Sequence, residues 1–233
     1  MKIAAAQFSP VRYLVQANMD KHLELINRAV LQDAQLIVFP EMSITGYERE
    51  EAEQYVFVEN DARLAVFQNM ADLNGISILV GAPVKILDQL YIGAYFISPN
   101  HLPVLYTKQF LHNGEEVSFS PCSHYNPLIF LDKERISIAI CADICNAKHP
   151  QNAGNANTTL YLASIFYSPD GLSQAYKDLS IYAKQYQMNV LMANFCGNSY
   201  GMEAGGRSAF WDKNGNLVSE LGSNEEGLLV VEI

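Results

Sequence analysis

The chain is predicted to be an α/β layered protein, and three observations carry that expectation. Short apolar runs rich in β-branched residues recur along its 233 residues. Helical patterns lie between the early runs, and mostly strand-like runs follow at the end. Alternation of this kind packs helices against largely parallel sheets. Strands are expected at Lys2–Phe8, Gln35–Phe39, Ile76–Gly81, Tyr91–Ile97, Val104–Thr107, Leu128–Leu131, Ile136–Cys141, Thr159–Ile165, Val190–Phe195, Ser208–Trp211 and Gly227–Glu232.

The helices are read from three- and four-residue apolar steps. Met19, Leu23, Ile26 and Val30 make one stripe, with Asn18, Asp20 and Glu24 on the solvated side. Leu64, Phe67 and Ala71 make a second. Leu172, Tyr176, Leu179, Tyr182 and Tyr186 make a third, after the turn signal Ser168-Pro169-Asp170-Gly171. Lys213-Asn214-Gly215-Asn216 reads as a hairpin turn in which Asn-Gly supplies positive φ. Gln151 to Asn157 is polar and reads as a loop. No linker, repeat or low-complexity tract interrupts the chain, so residues 1–233 are expected to form one domain.

Composition narrows the class. A formal charge of -10 opposes binding to nucleic acid or an anionic membrane, which need a basic footprint. No stretch approaches the roughly 20 apolar residues of a membrane span. The N-terminal apolar segment is too short for a signal peptide and reads as a first strand. Four cysteines without a C-x-x-C pair argue against a disulfide framework, and a reducing, cytoplasmic setting is expected.

Three apolar runs deliver residues able to do chemistry: Glu41, Lys108 and Cys141. Reactive groups in layered α/β proteins gather beyond strand ends. Taken singly, each has a bland reading: a solvated loop carboxylate, a surface ammonium and a small core thiol. The surrounding residues change the weighing. Ala4-Ala5-Ala6-Gln7-Phe8-Ser9-Pro10 opens the chain. Phe39-Pro40-Glu41 is followed by Ile44-Thr45-Gly46-Tyr47. Then come Tyr106-Thr107-Lys108, Ile138-Ala139-Ile140-Cys141-Ala142-Asp143, Met192-Ala193-Asn194 and Gly205-Gly206-Arg207-Ser208. In this order they resemble the carbon–nitrogen hydrolases of the nitrilase superfamily across essentially the whole chain.

The resemblance implies a four-layer αββα sandwich with Glu41, Lys108 and Cys141 as a catalytic triad. It also implies a supporting glutamate, which Glu115 matches best and Glu116 matches if the alignment slips by one. Such a site attacks a small linear amide or N-carbamoyl compound through a cysteine thioester. Nitrile hydrolysis, acyl transfer and a silent binding homologue are the alternatives. Ala142 stands where an aromatic residue often follows the nucleophile, and Ile144 to Pro150 departs from the usual segment. Ala142, Phe166 and Tyr167 are candidate substrate contacts. No cofactor is required. Cys141, Cys145 and His149 recur at four-residue steps, but the spacing is loose for zinc and no fourth ligand is evident, so no metal is expected. The resemblance implies a homodimer or larger, for which the tyrosine-rich helix Leu172–Gln187 offers a face unless its stripe covers the sheet. Glu48, Glu50, Glu51 and Glu53 read as a solvated charge run.

Overall fold

The computed structural model describes residues 1–233. Its elements run β1 (Lys2–Gln7), α1 (Val15–Val30), β2 (Leu36–Val38), α2 (Ala65–Asn74), β3 (Ser77–Ile86), β4 (Gln89–Ile97) and β5 (Val104–Thr107). They continue with β6 (Ile129–Leu131), β7 (Glu134–Ile140), α3 (Lys148–Asn155), β8 (Leu160–Ser164), α4 (Pro169–Tyr186) and β9 (Asn189–Ala193). The chain ends with a small hairpin of β10 (Asn198–Ser199) and β11 (Met202–Glu203), then β12 (Ala209–Trp211), β13 (Leu217–Glu220) and β14 (Gly227–Glu232).

Two six-stranded sheets result, ordered β14-β1-β2-β3-β4-β5 and β13-β12-β9-β8-β7-β6. At the centre of each, three strands run parallel: β1, β2 and β3 in one, β7, β8 and β9 in the other. Helices α1 and α2 make the first pair of crossovers, and α3 and α4 the second. The parallel strands are buried along nearly their whole length, as strands covered on both faces must be. The expected αββα layering is therefore the observed one. Hydrogen bonds stitch the sheets together where they face each other. Ser164 Oγ donates to the Phe39 carbonyl at 2.8 Å, and the Gln7 side chain accepts from Ser208 N–H at 2.8 Å. No helix is long and apolar enough to cross a membrane.

Several local expectations are corrected. The buried stripe of α1 is Met19, His22, Leu25, Ile26 and Ala29, with Asn18 buried beside it rather than solvated. Asn18 holds the Val11 carbonyl at 2.9 Å and the Ile44 carbonyl at 3.0 Å, so burial leaves its amide satisfied. Of the stretch Gln151 to Asn157 expected as a loop, only Ala156 and Asn157 lie beyond α3, and Gln151 to Asn155 belong to it instead. Gly154 there lies against the Tyr186 ring so closely that an added Cβ would sit 2.4 Å from it. In the Lys213–Asn216 turn only Gly215 takes positive φ (83°), and the Asp212 carboxylate accepts from the backbone N–H groups of Asn214 and Asn216. Glu48 is buried, paired with Arg12 at 3.1 Å and accepting from Tyr200 N–H, and so leaves the solvated run.

The helix α4 stripe faces inward. Leu172, Ala175, Leu179 and Ala183 are buried, while the Tyr176 and Tyr182 hydroxyls donate to the Arg207 and Ile144 carbonyls. These tyrosines are spent within the chain rather than displayed as a face.

Candidate active site

Glu41 follows β2 through Phe39-Pro40, where the chain leaves the sheet and folds back over β3. Gly81 permits that close passage, since a Cβ there would lie 2.5 Å from the Met42 backbone nitrogen. The returning loop is pinned by Ile44 N–H to the Gly81 carbonyl at 3.0 Å and by Gly81 N–H to Ser43 Oγ at 3.1 Å. Ser43 Oγ in turn meets His22 Nε2 at 2.9 Å, and His22 Nδ1 lies 2.6 Å from the Asn18 carbonyl. A carbonyl only accepts, so Nδ1 carries the proton and Nε2 accepts from the serine. Burial pushes His22 down to about 4, which keeps the ring neutral.

Lys108 follows the last residue of β5 and reaches between two carboxylates. Its Nζ lies 2.7 Å from Glu41 Oε1 and 2.7 Å from Glu115 Oε1, and all three side chains are fully buried. Glu115 is supplied by a single 3₁₀ turn, Glu115–Val117. It also accepts from the Tyr47 hydroxyl at 2.5 Å and from His112 N–H at 2.8 Å. Glu116 is exposed and accepts from Gly114 N–H instead. Of the two candidate supporting glutamates, the structure brings Glu115 to the lysine.

Cys141 follows β7 on a sharp turn with φ of 43°, a left-handed conformation that costs a non-glycine residue roughly 1–2 kcal/mol. Strain of this kind at a strand-to-helix turn holds a side chain out for attack. The thiol donates to the Phe166 carbonyl at 3.5 Å and lies close enough to Glu41 for each to shift the other's ionisation. Glu41 Oε2 is buried and accepts no hydrogen bond.

The electrostatics follow from this arrangement. Burial, helped by the neighbouring charge of Glu115 and opposed by Lys108, lifts Glu41 to about 7. Burial works against the Lys108 ammonium, yet Glu41, Cys141 and Glu115 outweigh it and its pKa rises. The Cys141 thiol is pushed well up by burial and then by the Glu41 charge, with Lys108 pulling the other way.

The remaining candidates are placed as follows. Ala142 is buried and lines a cleft of about 460 Å³ with Gln109, His112, Pro121, Cys145 and Asn146. The Phe166 ring packs against Tyr47 at 4.9 Å. Tyr167 is half-buried, its hydroxyl 3.0 Å from Cys145 Sγ. Cys141, Cys145 and His149 each have other partners, His149 lying between two tyrosine hydroxyls. Sequence reasoning gave Tyr47 no role, although it closes the quoted Ile44-Thr45-Gly46-Tyr47 segment. The contribution of His112 is a backbone N–H, which no side-chain pattern could announce.

Two facing α/β sheets with a buried glutamate–lysine–glutamate cluster beside a strained cysteine define an enzyme of the nitrilase superfamily. The chain belongs to the carbon–nitrogen hydrolase family, whose model matches residues 2–233. It is 26% identical over 240 residues to a nitrilase of Pyrococcus abyssi, covering 100% of this chain and 89% of that one. It is also 26% identical to a glutamine-dependent NAD(+) synthetase of Acinetobacter baylyi, covering 99% of this chain but 44% of that protein. Among solved structures, the NitN amidase from Neterenkonia sp. AN1 superposes with a TM-score of 0.91 at 26% identity, covering 100% of this chain and 92% of that one. A cysteine-to-alanine variant of the amidase from Nesterenkonia sp. AN1 in complex with butyramide matches with a TM-score of 0.91 at 25% identity, covering 100% and 90%. A further variant of that amidase shows Michael addition of acrylamide at its active-site cysteine.

Proposed function

We propose that this carbon–nitrogen hydrolase cleaves a small linear amide or N-carbamoyl compound, with Glu41, Lys108 and Cys141 as its catalytic groups and Glu115 in support. One observation carries the reading: a fully buried ammonium held at 2.7 Å by each of two buried carboxylates, next to a cysteine on a strained turn. Buried charges are costly, and such a cluster is kept for chemistry more readily than for stability.

In this reading Glu41 takes the thiol proton as sulfur attacks the amide carbon. Its lifted pKa makes it a far better base than an exposed carboxylate at neutral pH. The oxyanion that forms is met by Lys108 and the backbone N–H of Ala142. Glu41 then returns the proton to the departing ammonia or amine, leaving a thioester on Cys141. Water activated by the same glutamate releases the carboxylic acid. Glu115 keeps the lysine charged and in place. The butyramide complex and the acrylamide adduct of the Nesterenkonia amidase support a short amide as substrate. Similarity to a glutamine-dependent NAD(+) synthetase supports glutamine's side-chain amide as a further candidate.

The test is ammonia release from butyramide, glutamine, N-carbamoyl amines and a matched nitrile, with intact-mass trapping by an acrylamide probe. Turnover of at least one amide or carbamoyl compound and an adduct mapped to Cys141 are expected. Activity surviving Cys141→Ala, or an adduct confined to another cysteine, overturns the reading.

A further inference from the structure

A second set of buried polar groups runs between the two sheets beside the candidate site. Asp143, two residues beyond the cysteine, is fully buried and accepts four hydrogen bonds. Oδ1 takes the backbone N–H groups of Gln109 at 3.0 Å and Phe110 at 2.9 Å. Oδ2 takes Ile140 N–H at 2.8 Å and the Tyr106 hydroxyl at 2.6 Å. One carboxylate thus ties the backbone just after Lys108, in the first sheet, to the backbone just before Cys141, in the second.

The chain of hydrogen bonds continues in a fixed direction. Tyr106 has one hydroxyl proton, and a carboxylate only accepts, so that proton goes to Asp143. The Tyr106 oxygen lies 2.9 Å from His149 Nε2 and 3.3 Å from the Gln109 amide, and it must accept from both. His149 Nε2 therefore carries the ring proton. Its Nδ1, 2.7 Å from the Tyr161 hydroxyl on β8, is left to accept. The order is Tyr161 to His149 to Tyr106 to Asp143, every member buried. Burial lowers the pKa of His149, which agrees with the neutral ring that this order demands.

We propose that His149 is a positioning residue: by fixing the Tyr106 hydroxyl on Asp143, it locks the strand ends that carry Lys108 and Cys141 to each other. The inference rests on the proposed roles of those two residues. Without the imidazole at position 149 the Tyr106 oxygen loses a buried donor and the Tyr161 hydroxyl a buried acceptor, and the Asp143 clamp is free to shift. A displacement of about 1 Å between reacting groups costs about 10²-fold in rate. None of Tyr161, His149, Tyr106 and Asp143 is a candidate substrate contact, so the loss is expected to fall mainly on kcat, with KM the smaller change.

Three variants test this on whichever amide the wild type hydrolyses. His149→Leu removes donor and acceptor. Tyr106→Phe removes only the hydroxyl. His149→Gln replaces the ring with a group that can donate to Tyr106 and accept from Tyr161. Thermal melts confirm folding, and kcat and KM are measured separately. His149→Leu and Tyr106→Phe are expected to lose about 10–100-fold in kcat, while His149→Gln restores most of it. Folded His149→Leu with wild-type kcat overturns the proposal, and so does a glutamine variant as poor as the leucine one. Should the leucine variant fail to fold, wild-type kcat in Tyr106→Phe decides against it. Cys141→Ala runs alongside: residual activity there sinks the catalytic reading and this inference with it, whereas an inactive Cys141→Ala beside a fully active Tyr106→Phe sinks the positioning role alone.

Discussion

Glu115→Gln keeps the shape of the side chain and removes one negative charge from the buried cluster. Both carboxylates reach the same ammonium at 2.7 Å, so the two bonded oxygens lie no further apart than twice that distance. Like charges at such a separation repel by about 3 kcal/mol at an effective dielectric of about 20, equivalent to about two pH units. Glu115 is one of the causes that hold Glu41 near 7, behind burial, so its neutralisation lowers the Glu41 pKa by an amount of that order. Glu41 can take the thiol proton only when ionised, and activity therefore rises as pH climbs through its pKa. The acid limb of kcat/KM against pH should move to lower pH in the variant. The plateau should fall too, because Lys108 loses one of its two anchors. That loss stays below the about 10²–10³ expected for removing an oxyanion donor outright. Ammonia release measured from about pH 5 to about pH 9, a span bracketing the Glu41 transition, reads both effects. A limb that stays in place, or moves upward, would refute the electrostatic coupling of the two glutamates.

Two further outcomes follow from the same geometry, and a third from the family resemblance. Glu41 binds its proton more tightly in the folded chain, at about 7, than an ordinary glutamate does at 4.5, so its contribution to stability is present below pH 4.5 and lost as pH rises through 7. Relative to wild type, Glu41→Gln should gain about 3 kcal/mol between those limits, checked by urea melts on either side of the window. Gly81→Ala pushes a Cβ to 2.5 Å from the Met42 nitrogen and should cost about 1–3 kcal/mol by overpacking. It should lower kcat as well, since the displaced loop carries Glu41; melts and kinetics on one preparation report both. Sedimentation velocity is expected to show a homodimer or larger, and a stable monomer across the concentration range would end that proposal.

The strands that carry Glu41, Lys108 and Cys141 were legible because each is a short, largely apolar run whose last residues before the reactive group are buried. What stayed hidden depends on partners distant in sequence. Asn18 and His22 look like the polar side of α1 until the loop bearing Ser43 and Ile44 arrives to satisfy them. Glu48 looks solvated until Arg12 and the Tyr200 backbone close on it. Helix α3 has weak local credentials, with Pro150 at its start and Gly154 near its end. Contacts to Tyr161, soon after it, and to Tyr106 and Tyr186, both distant in sequence, accompany it. The choice between Glu115 and Glu116 turned on which side of one 3₁₀ turn faces inward, a matter no composition reveals.

The resting state of the proposed nucleophile deserves a physical account, because burial drives the thiol away from ionisation while Glu41 sits near 7. A preformed thiolate would add a third negative charge beside Glu41 and Glu115, with only Lys108 to oppose them. The sulfur is therefore protonated until an electrophile arrives. Proton transfer and attack must then proceed together, and the charge appears on the substrate oxygen rather than on sulfur. This moves negative charge away from Glu41 toward groups able to receive it, so the environment that raises the thiol pKa also favours the later step over the earlier one. Alkylation by iodoacetamide, which offers no carbonyl for Lys108 to stabilise in the same way, should accordingly be slow and rise with pH. Acylation by an amide should instead follow the Glu41 transition near 7. Parallel pH profiles for the two reactions would show that a thiolate is already formed before substrate binds.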